Sequence, residues 1–233
     1  MMKKSGKKYV EASKLVEANK AYSLDEAVEL VKKTSITKFD SSVELAIKLN
    51  IDTKKADQQM RGSLVLPNGN GKNKTILVLA KGSAAEAAKK AGADFVGEQE
   101  MIDKIAKENW FDYDVIIATP DMMPLLGKIG KVLGPRGLMP NPKTGTVTAD
   151  PSKAVEDVKK GMIEYRADQY GNIHVMAGKV SFDSNKLNEN ITYVVAQIVK
   201  AKPSTVKGKY IQNISLSSTM GPGIHVDLNS IDM

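Results

Sequence analysis

Three stretches of this sequence concentrate residue types that meet phosphates, sugars and bases. The longest is Gly127–Val147 (GKIGKVLGPRGLMPNPKTGTV), where five glycines, three prolines and four cations, Lys128, Lys131, Arg136 and Lys143, share twenty-one positions. Gly and Pro fix an irregular backbone path, glycine lets the chain approach a ligand closely, and Arg meets phosphate through a planar fork. A rigid surface turn with solvated charges has the same composition. The second stretch is Thr37-Lys38-Phe39-Asp40. Phe39 either stacks on a base or sugar, with Lys38 on the neighbouring phosphate, or joins the core as most phenylalanines do. The third is Ser217–Gly223, with three hydroxyls, a methionine and two glycines. Hydroxyls and amides at a tight turn hydrogen-bond riboses, 2′-OH groups included, whereas a hairpin turn needs only the glycines.

Catalytic chemistry is thinly represented. There are two histidines, His174 and His225, and no cysteine. Both histidines fall in predicted strands without metal-ligand spacing, so ordinary hydrogen bonding on a sheet face is expected of them. The turn Ala80-Lys81-Gly82-Ser83-Ala84 lacks a GxGxxG pattern, and Gly69–Thr75 misses the phosphate-loop pattern because Asn73 follows Lys72. Asp112, Asp114 and Asp121 flank an apolar run and read as loop residues at its ends. No catalytic residue, metal or cofactor is expected.

The elements that must position these groups have two textures. Ser23 and Glu26 stand at capping-box spacing, and Leu24, Ala27, Val28 and Val31 recur at helical intervals, so a helix is predicted to about Lys33. Val43, Leu45, Ile47, Leu49 and Ile51 then alternate with Glu44, Ala46, Lys48 and Asn50, the period of a half-buried strand. After Ser63–Leu66 the turn formers Pro67–Asn73 mark a first boundary. Beyond it Thr75–Ala80 is apolar on both faces, Ser83–Lys90 reads as a helix ending near Gly92, another helix is predicted over Glu98–Asn109, and Val115–Ala118 is again fully apolar. A helix opened by Asp150-Pro151 and stopped by Gly161 closes this α/β middle. Strand texture returns from Met162, with a turn at Tyr170-Gly171-Asn172 and apolar positions to Phe182 that read as a hairpin. A helix over Asn185–Lys200 and strands at Tyr210–Ser217 and Ile224–Leu228 complete an antiparallel α+β set formed by both ends, with the middle as an insertion.

The 233 residues are 42% hydrophobic, enough for one or two cored domains. Lys and Arg outnumber Asp and Glu by 34 to 27, for a net charge of +7 and a pI near 9.3, which favours polyanionic partners. The start, Met1–Lys20, carries lysines at 3, 4, 7, 8, 14 and 20 without an apolar signal region and reads as a loosely docked arm able to touch phosphates. No run approaches the about 20 apolar residues of a membrane span, so no membrane partner and a cytoplasmic location are expected.

Taken together, GKIGKVLGPRGLMPNPKTGTV, STMGPG at 218–223, TKFDSSVEL at 37–45 and RADQYGNIHVMAGKVSF at 166–182 resemble the bacterial ribosomal protein L-one family over essentially the whole chain. That resemblance implies an α+β split terminal domain formed by both chain ends (1–67 and 161–233), with an inserted Rossmann-like α/β three-layer domain (68–160). It implies a structural protein of the large ribosomal subunit, not an enzyme, that binds rRNA of the mobile stalk beside the E site. Assistance to release of deacylated E-site tRNA and repression of its own operon mRNA belong to the same expectation, as does a monomer when free. Carried over by motif, the RNA-binding residues are Lys38, Phe39, Glu44, Arg61, Ser181, Thr219, Met220 and Gly221, with Lys128, Lys131, Arg136 and Lys143 as a secondary RNA contact. An enzyme using the α/β part for a nucleotide or small molecule, recognisable by a ligand-dependent thermal shift, is one alternative. A non-specific RNA chaperone with steep salt dependence is the other.

Overall fold

The computed structural model describes residues 6–17 and 20–231; the lysines at 3 and 4 of the predicted arm lie outside them. The chain is a mixed α/β protein. It begins with α1 (Lys7–Ser13), α2 (Leu24–Lys33), β1 (Ser42–Leu49) and β2 (Arg61–Val65). It continues through β3 (Ile76–Leu79), α3 (Ser83–Lys90), β4 (Phe95–Gly97), α4 (Gln99–Glu108), β5 (Val115–Ala118), α5 (Met123–Lys128), α6 (Gly130–Leu133) and α7 (Pro151–Lys159). It ends with β6 (Met162–Arg166), β7 (Asn172–Lys179), α8 (Ser184–Lys200), β8 (Ile211–Ser218) and β9 (Ile224–Val226). Two compact units result, one of residues up to Gly71 with those from Ile163 onward, the other of Lys72–Met162.

In the unit that contains both chain ends, β1 lies between β7 and β8 in an antiparallel four-stranded sheet of order β7-β1-β8-β9. The alternation of β1 is realised, with Val43, Leu45, Ile47 and Leu49 buried and Glu44 exposed. One face is covered by α2 and α8, which pack on each other, α2 on β8 and β9 and α8 on β7. The capping box of α2 is formed, the Glu26 amide donating to Ser23 Oγ and the Ser23 amide to Glu26 Oε2, both at 3.4 Å. This leaves the strand ends, and the loops that follow them, as the edge of a rigid platform.

Two expectations for this unit are corrected. The segment from Met162 does not form a hairpin ladder: β6 pairs with β2 in a separate two-stranded sheet, β7 pairs with β1, and a single bridge, Ala167 to Ile173, joins them. The reversal itself is real. The Asp168 carboxylate accepts from the amides of Tyr170 and Asn172, both at 2.8 Å, and from Asn172 Nδ2 at 3.0 Å. Hydrogen bonding from Asn172 above all holds that carboxyl below its ordinary range. The basic start is also more than a loose arm, since Lys7–Ser13 is helical, Ala12 is buried and Val16 packs against the core.

Asn190 is the polar exception in the apolar stripe of α8. It is fully buried among Leu187, Ile191 and Val194, and its amide joins three backbone groups: Oδ1 accepts from the Asn68 amide at 3.1 Å, and Nδ2 donates to the carbonyls of Gly69 at 3.1 Å and Ala177 at 2.7 Å. A helix, a strand end and the Pro67–Gly71 turn are thereby fastened at one point.

Tyr210 is buried, and its hydroxyl has no hydrogen-bond partner among the described residues. Burial, and secondarily Tyr165, pushes its pKa up to about 12 from the ordinary 10. The folded state therefore favours the neutral phenol, a contribution fully present below pH 10 and lost as pH rises through about 12. Tyr210→Phe is expected to hold or raise stability at pH 7 and to lose less than the parent between pH 7 and 11. Urea unfolding at both values checks this, and an unchanged alkaline loss would count against it.

In the other unit, β4-β3-β5 form a parallel sheet whose β3 and β5 are buried on both faces. Leu77, Leu79, Ile116 and Ala118 share a cluster with Ile102 and Ile105 of α4, Leu126 of α5 and Leu133 of α6. The alternate residues Ile76, Val78 and Ile117 point the opposite way, where α3 and α7 pack on each other and on β4 and β5. The helices predicted at Ser83–Lys90 and after Asp150-Pro151 are in place.

Candidate nucleic-acid interface

The loop from α2 into β1 and the turn after β8 are 177 residues apart in sequence yet bonded to each other. The Thr219 amide donates to the Ser42 carbonyl at 3.0 Å, and the Ser42 amide donates to Thr219 Oγ1 at 3.1 Å. The cause is the central position of β1: Val43 is opposite Gly178 of β7 on one side and Ser218 of β8 on the other. Three connections therefore gather at one end of the sheet.

On that end Phe39 is 63% exposed and Met220 is 72% exposed. Both are large apolar side chains left in water on hydrogen-bonded loops at one end of the sheet, which makes this end a candidate contact surface. The expectation that Phe39 belongs either to a stacking surface or to the core is thus narrowed to the exposed reading. Met220 has φ +65, a left-handed backbone rarely taken by a side-chain-bearing residue. The turn is closed by the Gly221 amide donating to the Ser218 carbonyl at 2.8 Å. A Cβ on Gly221 would run into Ser218 Oγ and stand 3.2 Å from the Ser218 carbonyl oxygen, so a larger residue there would force the Ser218 side chain aside.

Lys38 is exposed beside Phe39, whose carbonyl accepts from Thr37 Oγ1 at 3.0 Å. Glu44 is exposed on β1, opposite Ser217 and Met176. Ser181 is present at the same end but engaged: its amide donates to Asp40 Oδ1 at 3.1 Å and its hydroxyl to Asp40 Oδ2 at 2.8 Å. Thr219 is likewise half-buried and tied to Ser42. Of the sequence candidates, Lys38, Phe39, Glu44, Ser181, Thr219, Met220 and Gly221 are brought together. Arg61 stands instead on β2 of the two-stranded sheet, its guanidinium 3.9 Å from Glu164.

Sequence reasoning gave Asp40 no role, although a carboxylate just before a strand is a frequent organiser of turns. Besides both Ser181 bonds it accepts, through its carbonyl, from Lys179 Nζ at 3.1 Å. It ties the loop carrying Phe39 to the end of β7. Asp40→Ala is expected to weaken RNA binding about fivefold, because the loop loses hydrogen bonds worth roughly 1 kcal/mol in net positioning. Removal of a carboxylate near phosphate would by charge alone tighten binding, so a tighter complex in filter-binding titration would refute the positioning role.

The secondary set lies in the other compact unit. Lys128, Lys131, Arg136 and Lys143 are all exposed. The segment from Gly127 to Val147 is not an open loop: it contains the end of α5, all of α6 and a short 3-10 turn at Pro142–Thr144. Thr144 and Thr146 are buried, the Asn141 amide donates to Thr146 Oγ1 at 2.8 Å, and the Ala118 amide donates to the Thr146 carbonyl at 2.9 Å. Arg136 lies over the Phe111 ring at 3.6 Å, which orients its guanidinium.

His174 is exposed with Nε2 3.9 Å from Asp168, and His225 Nδ1 lies 3.3 Å from Asn213 Nδ2. Among the described residues no group of three or more His, Asp or Glu gathers in a way that would hold a metal. No helix among them is long and apolar enough to cross a membrane. The family model described as the ribosomal protein L1p/L10e family matches residues 31–222, a span that runs from α2 through both loops of the exposed end.

Proposed function

The chain belongs to the ribosomal protein L1p/L10e family, and from that premise we propose that its exposed sheet end grips the rRNA of the mobile stalk beside the E site of the large subunit. Membership makes the protein a cytoplasmic ribosomal constituent that binds rRNA, in a family of structural proteins and not of enzymes. The observation that supports the finer reading is the pairing of exposed Phe39 and Met220 on loops fastened through Ser42–Thr219 and Asp40–Ser181. Phe39 stacks on a base or ribose, Met220 packs beside it, Lys38 meets phosphate, and Glu44 accepts from a 2′-OH or a base amine. Gly221 and Thr219 shape the turn, and Ser181 contributes by holding Asp40.

In this reading the two chain ends (1–67 and 161–233) form one split RNA-binding domain, and the inserted Rossmann-like domain (68–160) offers Lys128, Lys131, Arg136 and Lys143 as a secondary phosphate contact. Movement of the stalk with the protein attached assists release of deacylated tRNA. The same surface binds a like fold in the operon mRNA and represses its translation, and the protein is a monomer when free. Photo-crosslinking groups placed at positions 39 and 220 should label stalk rRNA in assembled large subunits. Crosslinks confined to other rRNA regions, or none, would remove the stalk assignment.

A further inference from the structure

We propose that the groove between the start of α1 and Met220 takes an unstacked nucleobase of the bound RNA, with Lys7 and Lys8 on its flanking phosphates. The groove has a volume of ≈ 530 Å³ and is lined by Gly6, Lys7, Lys8, Tyr9, Ile36 and Met220. That volume falls in the about 300–1,000 Å³ range of sites for small organic groups. Its walls are apolar or aromatic, from Tyr9, Ile36 and Met220, and its charged lining residues are both cations. A nucleotide has this pattern in reverse, a flat base with apolar faces joined to an anionic phosphate. Tyr9 and Met220 remain 37% and 72% exposed, so the two side chains that would sandwich a base are accessible.

The groove is also continuous with the proposed rRNA surface. Met220 belongs to both, and Ile36 precedes Phe39 by three residues in the loop between α2 and β1. The proposal therefore rests on the rRNA reading and extends it: Phe39 and Tyr9 would hold two different bases. It also gives the basic amino-terminal helix a function, that of a second wall whose lysines add to phosphate attraction.

The test is a titration of a stalk rRNA fragment and a series in which each unpaired base is replaced in turn by an abasic site. Partners are the parent protein, Tyr9→Ala, Tyr9→Phe, the double variant Lys7→Ala/Lys8→Ala, and Phe39→Ala. Tyr9→Ala should bind the intact fragment about 10-fold more weakly, with Tyr9→Phe within twofold of the parent because stacking is kept. At one abasic position the Tyr9→Ala penalty should disappear, and that position should differ from the one that silences Phe39→Ala. The double lysine variant should lower the salt slope of binding by about 0.7 for each phosphate left without its lysine. Tyr9→Ala within twofold of the parent, while Phe39→Ala is impaired, would overturn the groove assignment and leave the rRNA surface standing. A Tyr9→Ala loss that no abasic position silences would overturn it too, since the occupant would then not be a base. Failure of both variants to alter binding would instead bring down the surface reading itself. Circular dichroism of Tyr9→Phe and Tyr9→Ala separates lost stacking from lost folding of α1.

Discussion

Phe39→Ala is expected to weaken binding to a stalk rRNA fragment roughly 5- to 150-fold, the equivalent of the about 1–3 kcal/mol that a base gains on an aromatic side chain. The fold should hardly respond. Phe39 is 63% exposed, and truncation at such a position changes stability by about 0.5 kcal/mol or less. Met220→Ala should show a smaller loss of the same kind, and the double variant should lose less than the product of the two because the side chains serve one surface. Anisotropy titrations alongside urea unfolding read both quantities. A Phe39→Ala protein that binds within twofold of the parent would mean that the exposed ring meets no base.

Asn190→Ala should lower stability by about 3 kcal/mol, with the transition of the unit containing both chain ends shifted to lower urea. Its amide serves the Asn68 N–H and the Gly69 and Ala177 carbonyls from a fully buried position. Truncation leaves the buried Ala177 carbonyl and the half-buried Asn68 amide and Gly69 carbonyl unserved, and each buried group left unpaired costs about 1–3 kcal/mol. The lower end applies because the Pro67–Gly71 turn can shift toward solvent. Asn190→Leu should be no better despite its apolar volume, since it leaves the same groups unserved. A Leu variant as stable as the parent would show that the turn finds other partners at little cost.

The regular elements were legible because burial imposes a period. The alternation from Val43 to Leu49 gave a strand with one wet face, and the run at Ile76–Leu79, apolar on both faces, gave a buried parallel strand. Period does not name a partner. The residues around Tyr165 and Val175 read as two arms of a hairpin, but β6 went to β2 and β7 to β1, pairings that depend on segments far away in the chain. The same limit hid Asp40, bonded to Ser181 141 residues off, and Asn190, bonded to Asn68 122 residues off. The glycine- and proline-rich stretch after Gly127 was recognised as unusual, yet its docking onto β5 through Thr146 has no local signature. Phe39 and Met220 were singled out by residue type in their stretches and then by motif resemblance. Their exposure, on which the proposed contact rests, could be read only in three dimensions.

The most direct measurement compares the purified protein's affinity for a stalk rRNA fragment with that for a scrambled RNA of equal length at moderate salt. Tight binding selective for the fragment is the expected result, because loops fastened to a sheet end present a fixed surface to a fixed RNA shape. Equal affinity for the two RNAs, falling together as salt rises, would contradict it and leave only charge attraction between a protein of net charge +7 and any polyanion.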